Sequence, residues 1–220
     1  MNRDDSIGER CSAILQEASR LVSAVPAAFA IFLGVMVAAA SLVDVSSSGP
    51  GTEFGLNAIN IMASFALTMA VVTRGVEGGR KGNRGALTYI GISILSGLAI
   101  ILGVVALIVP GLILSARWSP VYGYALGEGQ GVTDAMSESW EATRGHTLPI
   151  LLALLVPIAF TICGLGLMVM SGEDIDRMSW STAIAINGFV YLGSALGIAV
   201  GLSVFSLLAR QGSDAAEVFG

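Results

Sequence analysis

The sequence predicts an all-α fold, a polytopic membrane helical bundle of six transmembrane helices. An amphipathic helix precedes the bundle, and a second, short cytoplasmic one lies between spans four and five. Three observations predict this. Apolar residues make up 54% of the 220 residues and charged residues only 12%, about half of the ~25% that soluble domains usually carry. Mean hydropathy is +0.79. The apolar runs also approach or exceed the ~20 helical residues needed to cross a hydrocarbon core of ~30 Å, and short polar stretches separate them.

Residues 1–22 are expected to form an interfacial helix and residues 23–220 the transmembrane domain. Ser6-Ile7-Gly8-Glu9 has capping-box spacing, in which hydroxyl and carboxylate each satisfy a free amide of the first turn. Ile7, Cys11, Ile14, Leu15, Ala18 and Leu21 then fall on one face, opposite Glu9, Arg10, Gln16, Glu17 and Arg20. Such a helix rests in the headgroup region or binds a partner. Acids outnumber bases ahead of the first apolar run, unlike a signal peptide, so the first span is expected to be uncleaved.

Spans are expected at residues 24–43, 55–73, 86–109, 112–127, 147–170 and 180–208. Pro26 falls in an opening turn, where a missing amide is tolerated. Residues 44–54 read as a polar loop. In the second span Asn57, Asn60, Ser64 and Thr68 share a face that is costly in lipid and should meet other helices. Pro110-Gly111 is either a tight hairpin at the outer face or a kink in one long helix, which would leave five spans. Gly127 to Gly131 reads as a helix stop. After it residues 132–143 form the second amphipathic helix, with Val132, Met136 and Trp140 on one face and Asp134, Glu138 and Glu141 pointing away. Thr147 is the expected N-cap of the fifth span.

Orientation follows from the cations. Six spans with both termini cytoplasmic place Arg3, Arg10, Arg20, Arg74, Arg80, Lys81, Arg84, Arg144 and Arg210 inside and only Arg177 outside, as the positive-inside rule requires. A hairpin at Pro110-Gly111 preserves this pattern and is preferred. The expected orientation therefore keeps both termini in the cytoplasm.

Arg117 is the one charge inside an apolar span, where a guanidinium costs around 2.5–3.5 kcal/mol on insertion scales. In a continuous helix Tyr124 and Glu128 would share its face. The three sketch a polar stripe, which with Asn57 and Asn60 forms the candidate lipid or solute contact. The other reading is an arginine snorkelling beside interfacial Trp118. His146, the single histidine, is expected at the surface. Gly193, Gly197 and Gly201 repeat the GxxxG spacing of close helix packing, within one chain or with a second copy or membrane-protein partner. Basic residues are too few and clustered for nucleic-acid binding. Cys11 and Cys163 give neither a disulfide pattern nor metal spacing, no catalytic set is visible, and no cofactor is expected.

One stretch carries a resemblance. Val109-Pro110-Gly111-Leu112-Ile113-Leu114, then Ser119-Pro120-Val121, Glu128, and a helix with Ala135, Ser139 and Thr143 at four-residue spacing resemble the YciC-like bacterial inner-membrane proteins. The same order is similar to the membrane domain attached to some glycerophosphoryl diester phosphodiesterases. The resemblance covers about 40 residues closely and implies a multi-pass cytoplasmic-membrane protein; the phosphodiesterase activity belongs to a separate barrel domain and is not carried over. The expected role is non-enzymatic: an accessory or envelope-maintenance factor acting through membrane lipids or protein contacts. A small transporter or lipid-handling protein is the alternative.

Overall fold

The computed structural model describes residues 5–46, 49–76, 85–106, 108–173 and 178–219. Among these residues the protein is all-helical, with nine helices and no strand. In chain order they are α1 (Ile7–Ala24), α2 (Pro26–Val45), α3 (Pro50–Arg74), α4 (Ala86–Ala106), α5 (Ile108–Arg117), α6 (Val121–Gly127), α7 (Val132–Ala142), α8 (Thr147–Ser171) and α9 (Trp180–Phe219). Arg3, Arg80, Lys81, Arg84 and Arg177, on which the orientation argument partly rests, lie outside the described residues.

Five helical stretches are long and apolar enough to cross a membrane: Pro26–Val45, Gly51–Arg74, Ala86–Val105, Thr147–Ser171 and Trp180–Arg210. Large apolar side chains such as Met62, Leu87, Leu102, Val105 and Met170 stand exposed along them. A water-soluble surface rarely carries so much contiguous apolar area; hydrocarbon is the solvent that suits it.

Sequence signals fix the helix ends. Glu9 N–H donates to Ser6 Oγ (3.3 Å) and Ser6 N–H donates to Glu9 Oε2 (2.8 Å), completing the expected capping box. Val25 precedes a proline and leaves helical geometry at φ −136°, the restriction a following Pro imposes. Pro26 then opens α2. At α9, Ser179 is the cap: Thr182 N–H donates to its Oγ (3.3 Å), and Glu173 accepts from Ser179 N–H (2.6 Å) and Thr182 Oγ1 (3.0 Å).

The expected 44–54 loop is mostly helix instead, because α2 continues through Asp44 to Val45 and α3 begins at Pro50. Thr147 is the first helical residue of α8 rather than its cap. The capping carbonyl is that of His146, which accepts from Ile150 N–H at 3.2 Å.

The Pro110-Gly111 question resolves as a reversal. A Cβ on Gly103 would come within 3.1 Å of Gly111 Cα, whereas eight residues of continuous helix would separate them by about 12 Å. The chain reverses between α4 and α5, ahead of Pro110-Gly111 rather than at it; Pro110 sits in the first turn of α5, where its missing amide costs nothing. The return limb is broken. Pro120 has no amide to offer Ala116 O, α5 stops at Arg117, and α6 resumes at Val121. The limb runs back along α4, since the Tyr89 and Tyr122 rings stack at 4.5 Å and Ser93 Oγ lies 3.0 Å from Tyr122 Oη.

Contacts divide the chain into two compact units. The first contains Met1–Val25, Thr68–Leu154 and Ala199–Gly220; the second contains Pro26–Leu67 and Leu155–Ile198. In the first, Ile14, Leu21, Val71, Val72, Leu126, Ile150 and Leu202 are buried. Gly123 lies so tightly on Phe205 that a Cβ there would collide with the ring, and a Cβ on Gly201 would meet Ser119 O. In the second, Phe29, Phe32, Met36, Ala183 and Ile186 are buried, Phe32 meets Tyr191 edge-on at 6.5 Å, and Phe160 stacks on Phe189 at 6.2 Å. There a Cβ on Gly193 would come within 2.7 Å of Pro157 O. The faces of Gly193 and Gly201 are thus occupied by the chain itself.

Candidate functional site

In the first unit the polar chemistry gathers at the break in the return limb. Ending a helix inside a packed region leaves carbonyls without partners, and each must find a donor. Ser119 Oγ donates to Ala116 O at 3.0 Å. Arg117 O is served by α7: Ser139 Oγ donates to it at 2.7 Å, and Thr143 Oγ1 lies at 3.4 Å. Ala135, Ser139 and Thr143 are all fully buried. Their four-residue spacing therefore makes a narrow face of small side chains that lets α7 approach the break and two hydroxyls that can reach it. Val132 and Trp140, expected on the buried face, are only half-buried, because the small residues set the docking direction.

Arg117 closes the same contact from the other side. Its Nη1 donates to Trp140 O at 2.9 Å and its guanidinium carbon lies 4.8 Å from the centre of the Trp140 ring, a cation–π geometry. It also sits in the last turn of α5, where the helix dipole favours a cation. Within the chain its partner is thus α7, which the sequence did not single out. Nor does the expected stripe form. The turn at Trp118-Ser119-Pro120 breaks the register on which it depended; Tyr124 is buried edge-on against Phe205 at 5.0 Å, and Glu128 is exposed, accepting from Gln130 Nε2 at 2.9 Å. The Gly127–Gly131 segment is the helix stop expected, with Gly129 at φ 76°.

Two further polar contacts in this unit were not legible in advance. Glu17, expected on the outward face of α1, is only 6% exposed. Its carboxylate accepts from Arg20 Nε (2.8 Å) and Nη2 (2.7 Å), from Ser206 Oγ (2.7 Å) and from Arg210 Nη2 (3.3 Å). Burial alone would raise its pKa, but hydrogen bonds from Arg20 and Ser206 and the charges of Arg210 and Arg20 outweigh it and hold the group below the ordinary carboxylate value. His146, expected at the surface, is 4% exposed. Arg10 covers it, with Nη1 donating to Gly145 O (3.1 Å) and 3.3 Å from His146 Nδ1. Because a guanidinium only donates, Nδ1 is the acceptor in this contact and a neutral ring carries its proton on Nε2.

In the second unit Asn187 Nδ2 donates to Asp44 Oδ2 (2.6 Å) and to Ser41 Oγ (3.4 Å), pairing a helix-end carboxylate with a buried amide. The α3 stripe grades along the helix: Thr68 is buried, Asn60 and Ser64 are half-buried with Ser64 Oγ donating to Asn60 Oδ1 (3.3 Å), and Asn57 is exposed. Asn57 therefore departs from the expectation that the whole stripe meets other helices. Close by, α2 and α3 enclose a groove of about 440 Å³ walled by Ile31, Phe32, Val35, Ile59, Met62 and Ala66 among others, almost wholly apolar. Among the described residues no group of three His, Cys, Asp or Glu side chains is placed to hold a metal ion, and Cys11 and Cys163 are free thiols.

No protein-family profile matches the chain, and no curated protein or solved structure matches it either.

Proposed function

We propose that the chain is a multi-pass protein of a bacterial cytoplasmic membrane that acts without catalysis, as an accessory or membrane-maintenance factor making lipid contacts. The reading takes six crossings, the five long helices plus the broken limb α5–α6, with both termini and α7 on the cytoplasmic side. Charge supports that orientation. Among the described residues, Arg10, Arg20, Arg74, Arg144 and Arg210 lie in α1, at span ends or in connections that this reading places inside, while those it places outside carry Asp44, Glu53 and Glu173 and no base. Kinship with the YciC-like proteins is part of the same proposal: the Ala135, Ser139 and Thr143 spacing that carries the resemblance has a physical task here, docking α7 on the helix break.

The observation that carries the lipid reading is the groove between α2 and α3. Its walls suit an acyl chain, because hydrocarbon is the medium that wets apolar helices in a bilayer and nothing in the groove would pair a polar solute. That favours lipid contact over a solute path along Asn57 and Asn60. Arg117, Tyr124 and Glu128 contribute to packing and capping instead. The test is native mass spectrometry of protein purified in nanodiscs, comparing wild type with Ala66→Phe. Loss of a retained phospholipid from a folded variant is the expected result. Equal retention in both, or none in wild type, would remove the groove as the basis of the reading.

A further inference from the structure

The geometry points to α1 as a releasable strap that ties together three chain segments at the helix ends of the first unit, with Glu17 as its latch. The three attachments are far apart in sequence and close along one helix. Arg10 donates to Gly145 O and lies against His146, at the entry to α8. Arg20 Nη2 donates to Gly75 O (2.9 Å), just past the end of α3, where Leu21 Cδ2 would lie 3.1 Å from a Cβ on Gly75. Glu17 reaches Ser206 and Arg210 near the end of the apolar part of α9. A helix of 18 residues is about 27 Å long, enough to span such sites.

Two features make the strap releasable rather than a fixed part of the core. Its deeply buried apolar set is small, Ile14, Ala18 and Leu21, while Ile7 stays 41% exposed; the long-range polar ties are hydrogen bonds and one ion pair, Glu17 with Arg210, which water can solvate when the helix lifts. And α1 ends at Val25, a non-helical residue before Pro26, so it can move without unwinding α2. When it lifts, the entry to α8, the exit of α3 and the end of α9 lose their shared tether, and a displacement at one is no longer felt at the others.

Hydrogen–deuterium exchange of the full chain in nanodiscs tests this. In wild type the α1 amides should exchange through one common opening, faster than those of residues 199–206 of α9; exchange of both segments at one rate would overturn the strap. Glu17→Ala removes the latch and should speed α1 exchange roughly ten- to a hundredfold, as loss of a charged buried hydrogen-bond set implies, and amides at residues 75–76 and 206–210 should speed up with it. Acceleration confined to α1, or none, would overturn the proposal. Should that variant fail to fold, Glu17→Gln removes the charge, keeps an acceptor for Ser206, and is read in the same way. Arg10→Gln weakens the same strap at its other end and should speed exchange at residues 146–150 and, to a smaller extent, at 206–210; a rise confined to 146–150 would overturn the common opening.

Discussion

Replacing Ser139 by Ala isolates the contact that joins α7 to the broken limb. The hydroxyl donates to Arg117 O at 2.7 Å from a fully buried position, so its removal loses a hydrogen bond worth about 1 kcal/mol net, and a carbonyl left without a partner costs roughly 1–3 kcal/mol. Thr143 Oγ1 offers a partial substitute at 3.4 Å, but its nearer partner is Ser139 O at 2.7 Å. Ser139→Ala should therefore cost about 1–2 kcal/mol and Thr143→Val under ~1 kcal/mol, while the double variant should exceed their sum by roughly 0.5 kcal/mol or more, because only it leaves Arg117 O with neither hydroxyl. Chemical unfolding in detergent followed by tryptophan emission gives the readout. Trp118 and Trp140 lie 6.3 Å apart across the contact, so undocking of α7 separates them and wets Trp140 before the long helices unfold. If Ser139→Ala stays within about 0.3 kcal/mol of wild type, or the pair is strictly additive, water already serves the carbonyl and α7 is not its cap.

The remaining predictions read other contacts. Glu17 has its folded-state pKa held below the ordinary 4.5, so its contribution is complete above that value and lost as pH falls through the folded one; Glu17→Gln should flatten the acid limb of a stability–pH profile, and an unchanged limb would remove Glu17 as its source. A Cβ at Gly123 collides with the Phe205 ring, whereas one at Gly8 in the first turn of α1 meets nothing within 4 Å. Gly123→Ala should thus cost about 1–3 kcal/mol by overpacking, and Gly8→Ala should gain up to about 1 kcal/mol through helix propensity, both by thermal unfolding. Asn187→Leu strips Asp44 of a 2.6 Å donor, and a loss of about 1.5–3 kcal/mol is expected for a hydrogen bond to a charge.

Helix periodicity and hydropathy were enough for the long elements, because a bilayer imposes length and apolarity on every residue of a span. The capping box at Ser6–Glu9, the stop at Gly127–Gly131 and the start of α9 at Trp180 were legible from local chemistry. What failed depended on partners distant in sequence. Glu17 reads as outward-facing until Ser206, 189 residues on, donates to it, and His146 reads as exposed until Arg10 covers it. Arg117 was visible as an anomaly, yet its partner Trp140 lies 23 residues further on, past a proline break that shifts every face assigned by continuous-helix spacing. The Ala135, Ser139 and Thr143 pattern was the one local sign of that contact, since small and hydroxyl side chains at four-residue spacing mark a face built for close approach.

Which side of the bilayer each connection faces decides whether the bundle crosses the membrane in the proposed orientation. On a background with Cys11→Ser and Cys163→Ser, single cysteines at Glu53→Cys, exposed in the first turn of α3, and Glu138→Cys, on the exposed face of α7, are treated with a membrane-impermeant maleimide in intact cells and in inverted vesicles. Residue 53 should be labelled only from outside and residue 138 only from the cytoplasmic side. Labelling of both from one side, or with the sides exchanged, would contradict that orientation.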